Sequence, residues 1–245
     1  MANVETGYNE EKINELIDNL KKSYSDVGET ITGAWPSVSS VLRENWIGED
    51  EQSYEKAFVK RVDELYLSAA QVVNSVLTQF KSLGDSWYAF QQQNILSGAE
   101  TVNSSPVDIK SESVEENAEI IKYEEFTIAA GADRGIVAGS DGTIKTSVSS
   151  FVDAVKSGTE GIIDGIDAST AFIGAQQSSA IDTYLDGLKN ALAAILTAYQ
   201  DINDAVTALA GSSYTESDST VAETMGQSTI EEDVNSQLGE MKWGS

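Results

Sequence analysis

The chain has 245 residues, 40% of them apolar, enough to fill a core. Its formal net charge of −25 repels phosphate backbones and anionic membrane surfaces, so nucleic acid is excluded as the expected partner. It contains no cysteine and no histidine, which removes disulfides, thiolate chemistry and the commonest general base and metal ligand; no catalytic, cofactor or metal site is expected.

The N-terminal stretch "MANVETGYNEEKINELIDNL" lacks the basic start and apolar run of an ordinary signal peptide. No segment approaches the roughly 18 consecutive apolar residues of a membrane span, so no stable membrane insertion is expected. The expected address is the cytoplasm, with any passage out of the cell by a route that needs no cleavable leader.

From Ile13 the apolar positions Ile13, Ile17, Leu20, Tyr24, Val27, Ile31, Ala34, Val38 and Val41 alternate steps of four and three, which is a helical seam. Gly28, Gly33 and Pro36 interrupt it. Because proline lacks an amide donor, a kink or a break into a long and a short helix is expected between 28 and 37. After Trp46-Ile47-Gly48 a second seam runs Tyr54, Phe58, Val62, Leu65, Ala69, Val72, Val76, Phe80, Leu83, Trp87. Residues 8–45 and 50–93 thus read as the legs of a first helical hairpin, within a unit 1–96. The cluster Trp87, Tyr88, Phe90 at its end is expected to bury against the kinked region near Trp35, with a partner-docking patch as the alternative.

Residues 97–146 read as a linker rich in Ser, Gly, Asn and acidic residues. Within it "IIKYEEFTIAA" suits either a short strand or a single helical turn. "GSDGT" at 139–143 lacks the oxygen ladder and distal glutamate of a calcium loop and reads as a turn. The carboxylate pairs Glu115 and Glu119, Asp164 and Asp167, Asp201 and Asp204 read as a solvated face.

Helical spacing returns at Val148, Val152, Val155, Ile162 and Ile166, with Thr159 filling one seam position. Gly158, Gly161 and Gly165 each weaken this helix by roughly 1 kcal/mol relative to alanine, so packing must hold it. They either permit close helix approach or leave the helix mobile. The cleanest stripe follows: Ile181, Leu185, Leu188, Leu192, Ile195, Tyr199, Ile202, Val206, Leu209, along a helix roughly 45 Å long at 1.5 Å per residue. Residues 147–212 form the second hairpin. The tail, 213–245, is polar and acidic, with a short helix expected at 229–240 because Ser228 and Glu231 have capping-box spacing and Ile230, Val234 and Leu238 share a face.

Phe172-Ile173-Gly174 lies 126 positions after Trp46-Ile47-Gly48, and at the same offset Phe58 matches Tyr184, Val62 matches Leu188, Ala69 matches Ile195 and Val76 matches Ile202. Glycine at such a corner can take the left-handed conformation that ends a helix, and the aromatic can fold between the two legs.

With Trp46, Gly48, Phe172 and Gly174 as a doubled corner, the chain resembles the Trp-x-Gly helical hairpins exported by the type VII (early-secreted-antigen) secretion system of Gram-positive bacteria and mycobacteria. The likeness spans roughly 8–93 and 147–210. In that family two hairpins pair into a four-helix bundle and a Tyr-x-x-x-Asp/Glu export signal follows a second helix; here "YTESD" offers Tyr214 and Asp218 beyond Leu209.

The expected fold is therefore all-α: two antiparallel hairpins, with an irregular linker and a polar tail, forming a four-helix-bundle-like pseudo-dimer. The resemblance implies a non-enzymatic secreted substrate or partner protein of a type VII-like system. Its partners would be the secretion-system ATPase or other export machinery and, as a further candidate, a co-secreted helical protein. The alternative is a helical self-assembling structural protein of a phage particle or surface filament. An enzyme using only carboxylates, lysines and tyrosines is the third and least favoured reading.

Overall fold

A computed structural model describes residues 7–93, 109–110, 112–132, 135–137, 139–165, 171–173 and 175–211. Four helices dominate them: α1 (Glu10–Asn45), α2 (Glu49–Gln93), α3 (Asp141–Asp164) and α4 (Ala175–Gly211). Four dipeptides, β1 (Gly7–Tyr8), β2 (Trp46–Ile47), β3 (Gly135–Ile136) and β4 (Phe172–Ile173), form two antiparallel bridges, β1 with β4 and β2 with β3. The protein is all-α in class, and the helices form a bundle.

α1 packs beside α2 and α3, and α4 beside the same two. Neighbours run antiparallel. The end of α1 meets the start of α3 where the Ser140 hydroxyl donates to the Asn45 carbonyl, while Gly158 lies against Val27 lower down. On the opposite side Ser75 of α2 meets Tyr184 of α4, at 3.2 Å between hydroxyls. The expected seams supply the core: Ile13, Ile17, Leu20, Val27 and Ile31 of α1, Phe58, Val62, Leu65 and Val76 of α2, and Leu188, Leu192, Ile195 and Tyr199 of α4 belong to one buried cluster with Val148, Val152 and Val155 of α3. At one level Trp35 of α1 stacks on Phe58 of α2, 5.4 Å between ring centres, and both meet Phe151 of α3.

α1 is capped by the Asn9 carboxamide, which accepts from the Lys12 amide at 3.0 Å, and Glu10 and Glu11 occupy its positive first turn. The break expected between 28 and 37 does not occur, since α1 runs through Pro36 as one helix. Pro36 and Thr32, whose carbonyl loses its amide partner, are both exposed, so water can replace that bond, while buried Ile31, Trp35 and Val38 anchor both sides.

Three further expectations are corrected. α3 begins at Asp141, so 139–143 is the approach to a helix and its first turn rather than a free turn, because Ile144 already faces the core. Segment 120–130 is neither strand nor helical turn; it runs extended along the first hairpin without a sheet partner. Trp87 does not reach Trp35: it lies against Tyr8, with ring centres 6.2 Å apart. In a hairpin that reverses at 46–48, residues equidistant from the corner meet, which pairs Trp35 with Phe58 and sends Trp87 to the far end.

Of the glycines in α3, Gly158 serves close approach: a Cβ there would press on Val27 at 3.0 Å. Gly161 has open space around it. The helix expected at 229–240 lies outside the described residues.

Candidate functional site

The two corners are built alike. α1 ends at Trp46, whose backbone is extended at φ −136°, ψ 115° and whose amide bonds the Leu42 carbonyl. Trp46 and Ile47 then pair with Ile136 and Gly135, in front of α3. Phe172 and Ile173, in front of α4, pair with Tyr8 and Gly7, in front of α1. One further bond extends each bridge in the same place: the Val137 amide to the Asn45 carbonyl, and the Asn9 amide to the Ala171 carbonyl, both 2.8 Å. Each hairpin's corner is thus clasped by the lead-in of the other hairpin, an arrangement with approximate two-fold symmetry. Gly135, at φ +142°, holds a backbone conformation that side chains disfavour.

Trp46 is buried, its ring 5.2 Å from that of Tyr54, and its indole N–H donates to the Asp50 carboxylate at 2.8 Å. That bond explains Gly48 differently from the expectation. Gly48 is not left-handed; the Asp50 carboxylate folds back across it, and a Cβ at 48 would overlap that carboxylate. Glycine leaves that carboxylate room, and a side chain at 48 would push it aside from the Trp46 indole it bonds. The structure places Phe172 in the matching bridge, whereas Gly174, Tyr214 and Asp218 lie outside the described residues.

Sequence reasoning missed the second feature. Residues 109–110 and 112–126 lie as a strap along the groove between α1 and α2, running in the direction of α1. An extended chain there has no ladder to satisfy its backbone, and side chains from the helices do so instead. The Asn14 carboxamide accepts from the Lys110 amide at 2.9 Å, and the Lys110 ammonium pairs with Asp18. Asn74 accepts from the Val114 amide at 2.8 Å and donates to the Val114 carbonyl at 3.1 Å, acting as a strand partner would. The Asp63 carboxylate accepts from the Ile120 and Ile121 amides at 3.0 and 3.1 Å. Gln52 donates to the Phe126 carbonyl at 2.6 Å. Ile109, Val114 and Ile121 point into the core cluster, and Gly28 leaves room where Tyr66 and Ile120 meet, since a Cβ there would overlap the Tyr66 hydroxyl.

Near the first corner this groove holds a buried ionic cluster. Glu55 is fully buried and accepts from the Arg43 guanidinium at 2.8 and 2.9 Å and from the Ser39 hydroxyl at 2.7 Å. Arg43 also donates to the Glu124 carbonyl at 2.8 Å and stacks on the Phe126 ring at 4.5 Å, so one guanidinium joins α1, α2 and the strap. Glu51, one turn before Glu55, is also fully buried, and as a carboxylate neither of its oxygens has a hydrogen-bond donor. Burial first, and a hydrogen bond to the Glu55 carboxylate second, push its carboxyl up to about 8 against the opposing pull of Arg43. Burial likewise pushes Asp63 up to about 6 against the lowering effect of its two backbone bonds.

Beside this cluster an open cleft is lined by Trp35, Pro36, Ser39, Arg43 and Lys122, among others. Among the described residues no group of three or more histidines, cysteines or acids is placed to hold a metal ion, and no helix is long and apolar enough to cross a membrane. No family model, curated protein or solved structure matches this chain.

Proposed function

We propose that the chain is a non-enzymatic substrate or partner protein of a type VII-like secretion system, carried out of the cell as a folded pseudo-dimer and engaged by the export ATPase through Tyr214 and Asp218. What supports this reading is the doubled corner, in which Trp46-Ile47 and Phe172-Ile173 occupy equivalent bridges and each hairpin is clasped by the other's lead-in. A lone two-helix hairpin buries little apolar surface, so hairpins of this kind need a partner. Fusion of two supplies that partner within the chain, and the bundle can present an export signal without recruiting a second protein.

Export of the full chain from a Gram-positive host that carries such an apparatus tests the reading. Tyr214→Ala is expected to leave the melting temperature unchanged and to abolish appearance in the culture medium, with the protein retained in the cells; Asp218→Ala acts the same way. Unchanged medium levels of either variant, or equal export from a host lacking the secretion ATPase, would contradict it.

A further inference from the structure

We propose that the strap is a pH-operated cover over Glu51: it is held down on the first hairpin while that buried carboxyl carries a proton, and it loosens when the carboxyl ionises. The geometry that points to this is the sharing of one cation. The Arg43 guanidinium bonds both oxygens of Glu55 through Nε and Nη2, and Nη2 also donates to the Glu124 carbonyl of the strap while the group lies over the Phe126 ring. Glu51 sits beside this arrangement with two buried oxygens, and the neighbour its carboxyl can bond to is the Glu55 carboxylate, which it reaches only while it carries a proton. Neutral, it is tolerated there. Ionised, it loses its bond to Glu55 and adds a second negative charge to a site with one guanidinium, which favours drawing Arg43 away from the strap or admitting water where the strap lies.

The charged and titratable groups that face Glu51 are Asp50 and Glu55 on its own helix, Arg43 on α1 and Tyr123 on the strap. The bonds to Glu55 raise Arg43 above its ordinary value, and burial raises Tyr123 above its own, so neither changes charge as Glu51 titrates. Glu51 is raised from the ordinary carboxylate value of 4.5 to about 8. The closed strap is therefore fully favoured below the ordinary value and loses about tenfold in its closing equilibrium per pH unit up to the raised one. Asp63, raised to about 6 beneath the Ile120 and Ile121 amides, acts in the same direction over a lower range.

Hydrogen–deuterium exchange of the full chain, read by mass spectrometry and corrected for the intrinsic pH dependence of amide exchange, tests this. Peptides covering 112–126 are expected to lose tenfold or more in protection between about pH 6 and about pH 9 relative to α4, as expected from the per-unit slope above. Glu51→Gln, which mimics the protonated acid, is expected to keep its strap protection at the higher pH. Glu51→Met serves the same purpose should the glutamine variant fold poorly. Strap protection that does not change with pH in the wild-type chain, or that falls equally in the Glu51 variants, would overturn the proposal.

Discussion

Along the bundle-core face of α2 lie Phe58, Val62, Leu65, Ala69, Val72, Val76 and Phe80, all buried and all without polar groups. Along a second stripe of the same helical spacing lie Val59, Asp63, Tyr66, Ala70, Asn74 and Leu77, of which Asp63, Tyr66 and Asn74 carry hydrogen-bonding groups, and Asp63 and Asn74 bond the strap. The difference comes from what each face meets. A partner helix has satisfied its own amides and carbonyls, so contact with it asks only for shape and apolar area. An extended strap brings bare backbone into a buried place, and the helices beneath it must supply donors and acceptors, as Asn74 does twice for Val114 and Asn14 and Arg43 of α1 do elsewhere. The core face fixes the fold, whereas the strap face fixes one segment upon it.

Three substitutions grade that contrast. Phe58→Ala removes a ring that stacks on Trp35 and meets Phe151, and about 3–5 kcal/mol of global stability should go with it in urea titrations, with helix and strap signals lost together. Asn74→Ala leaves the Val114 amide and carbonyl without their partner; a loss of about 1–3 kcal/mol is expected, read as faster exchange over 112–121 with the helical circular dichroism of the bundle retained. If this variant melts the whole bundle as severely as Phe58→Ala, the two faces are not separable. Tyr24→Phe removes a 3.3 Å bond to the Glu115 carbonyl and the hydroxyl's bond with Tyr66 while keeping the ring stack, and should cost about 1 kcal/mol.

Much of the bundle was legible in the sequence, because a helix writes its burial as a period. The bounds 8–45 and 50–93 read for the first hairpin fall within two residues of α1 and α2, the stripe 181–209 lies inside α4, and Trp46-Ile47 and Phe172-Ile173 mark the two matched corners. The strap was not, and for a physical reason: Ile109, Val114 and Ile121 follow an extended chain along a groove whose shape sets their spacing, so no fixed period marks them. The readable trace was on the other partner, in the second stripe of α2, where Asp63 and Asn74 interrupt otherwise apolar positions on a helix already apolar on its first face. The bridges were hidden by brevity, although Gly7-Tyr8 and Gly135-Ile136 are both a glycine followed by a bulky residue shortly before a helix. Gly48 was assigned to backbone conformation when its role is to clear space for the Asp50 carboxylate, a distinction that depends on where a side chain two residues away folds.

Nuclear Overhauser contacts across the two bridges bear most directly on the central claim, that one chain closes on itself as two mutually clasped hairpins. On a mixture of isotope-labelled and unlabelled full-length protein, backbone contacts between Trp46 and Ile136 and between Tyr8 and Phe172 should both be present and should both arise within single chains. Absence of either pair, or contacts detected only between labelled and unlabelled molecules, would contradict it.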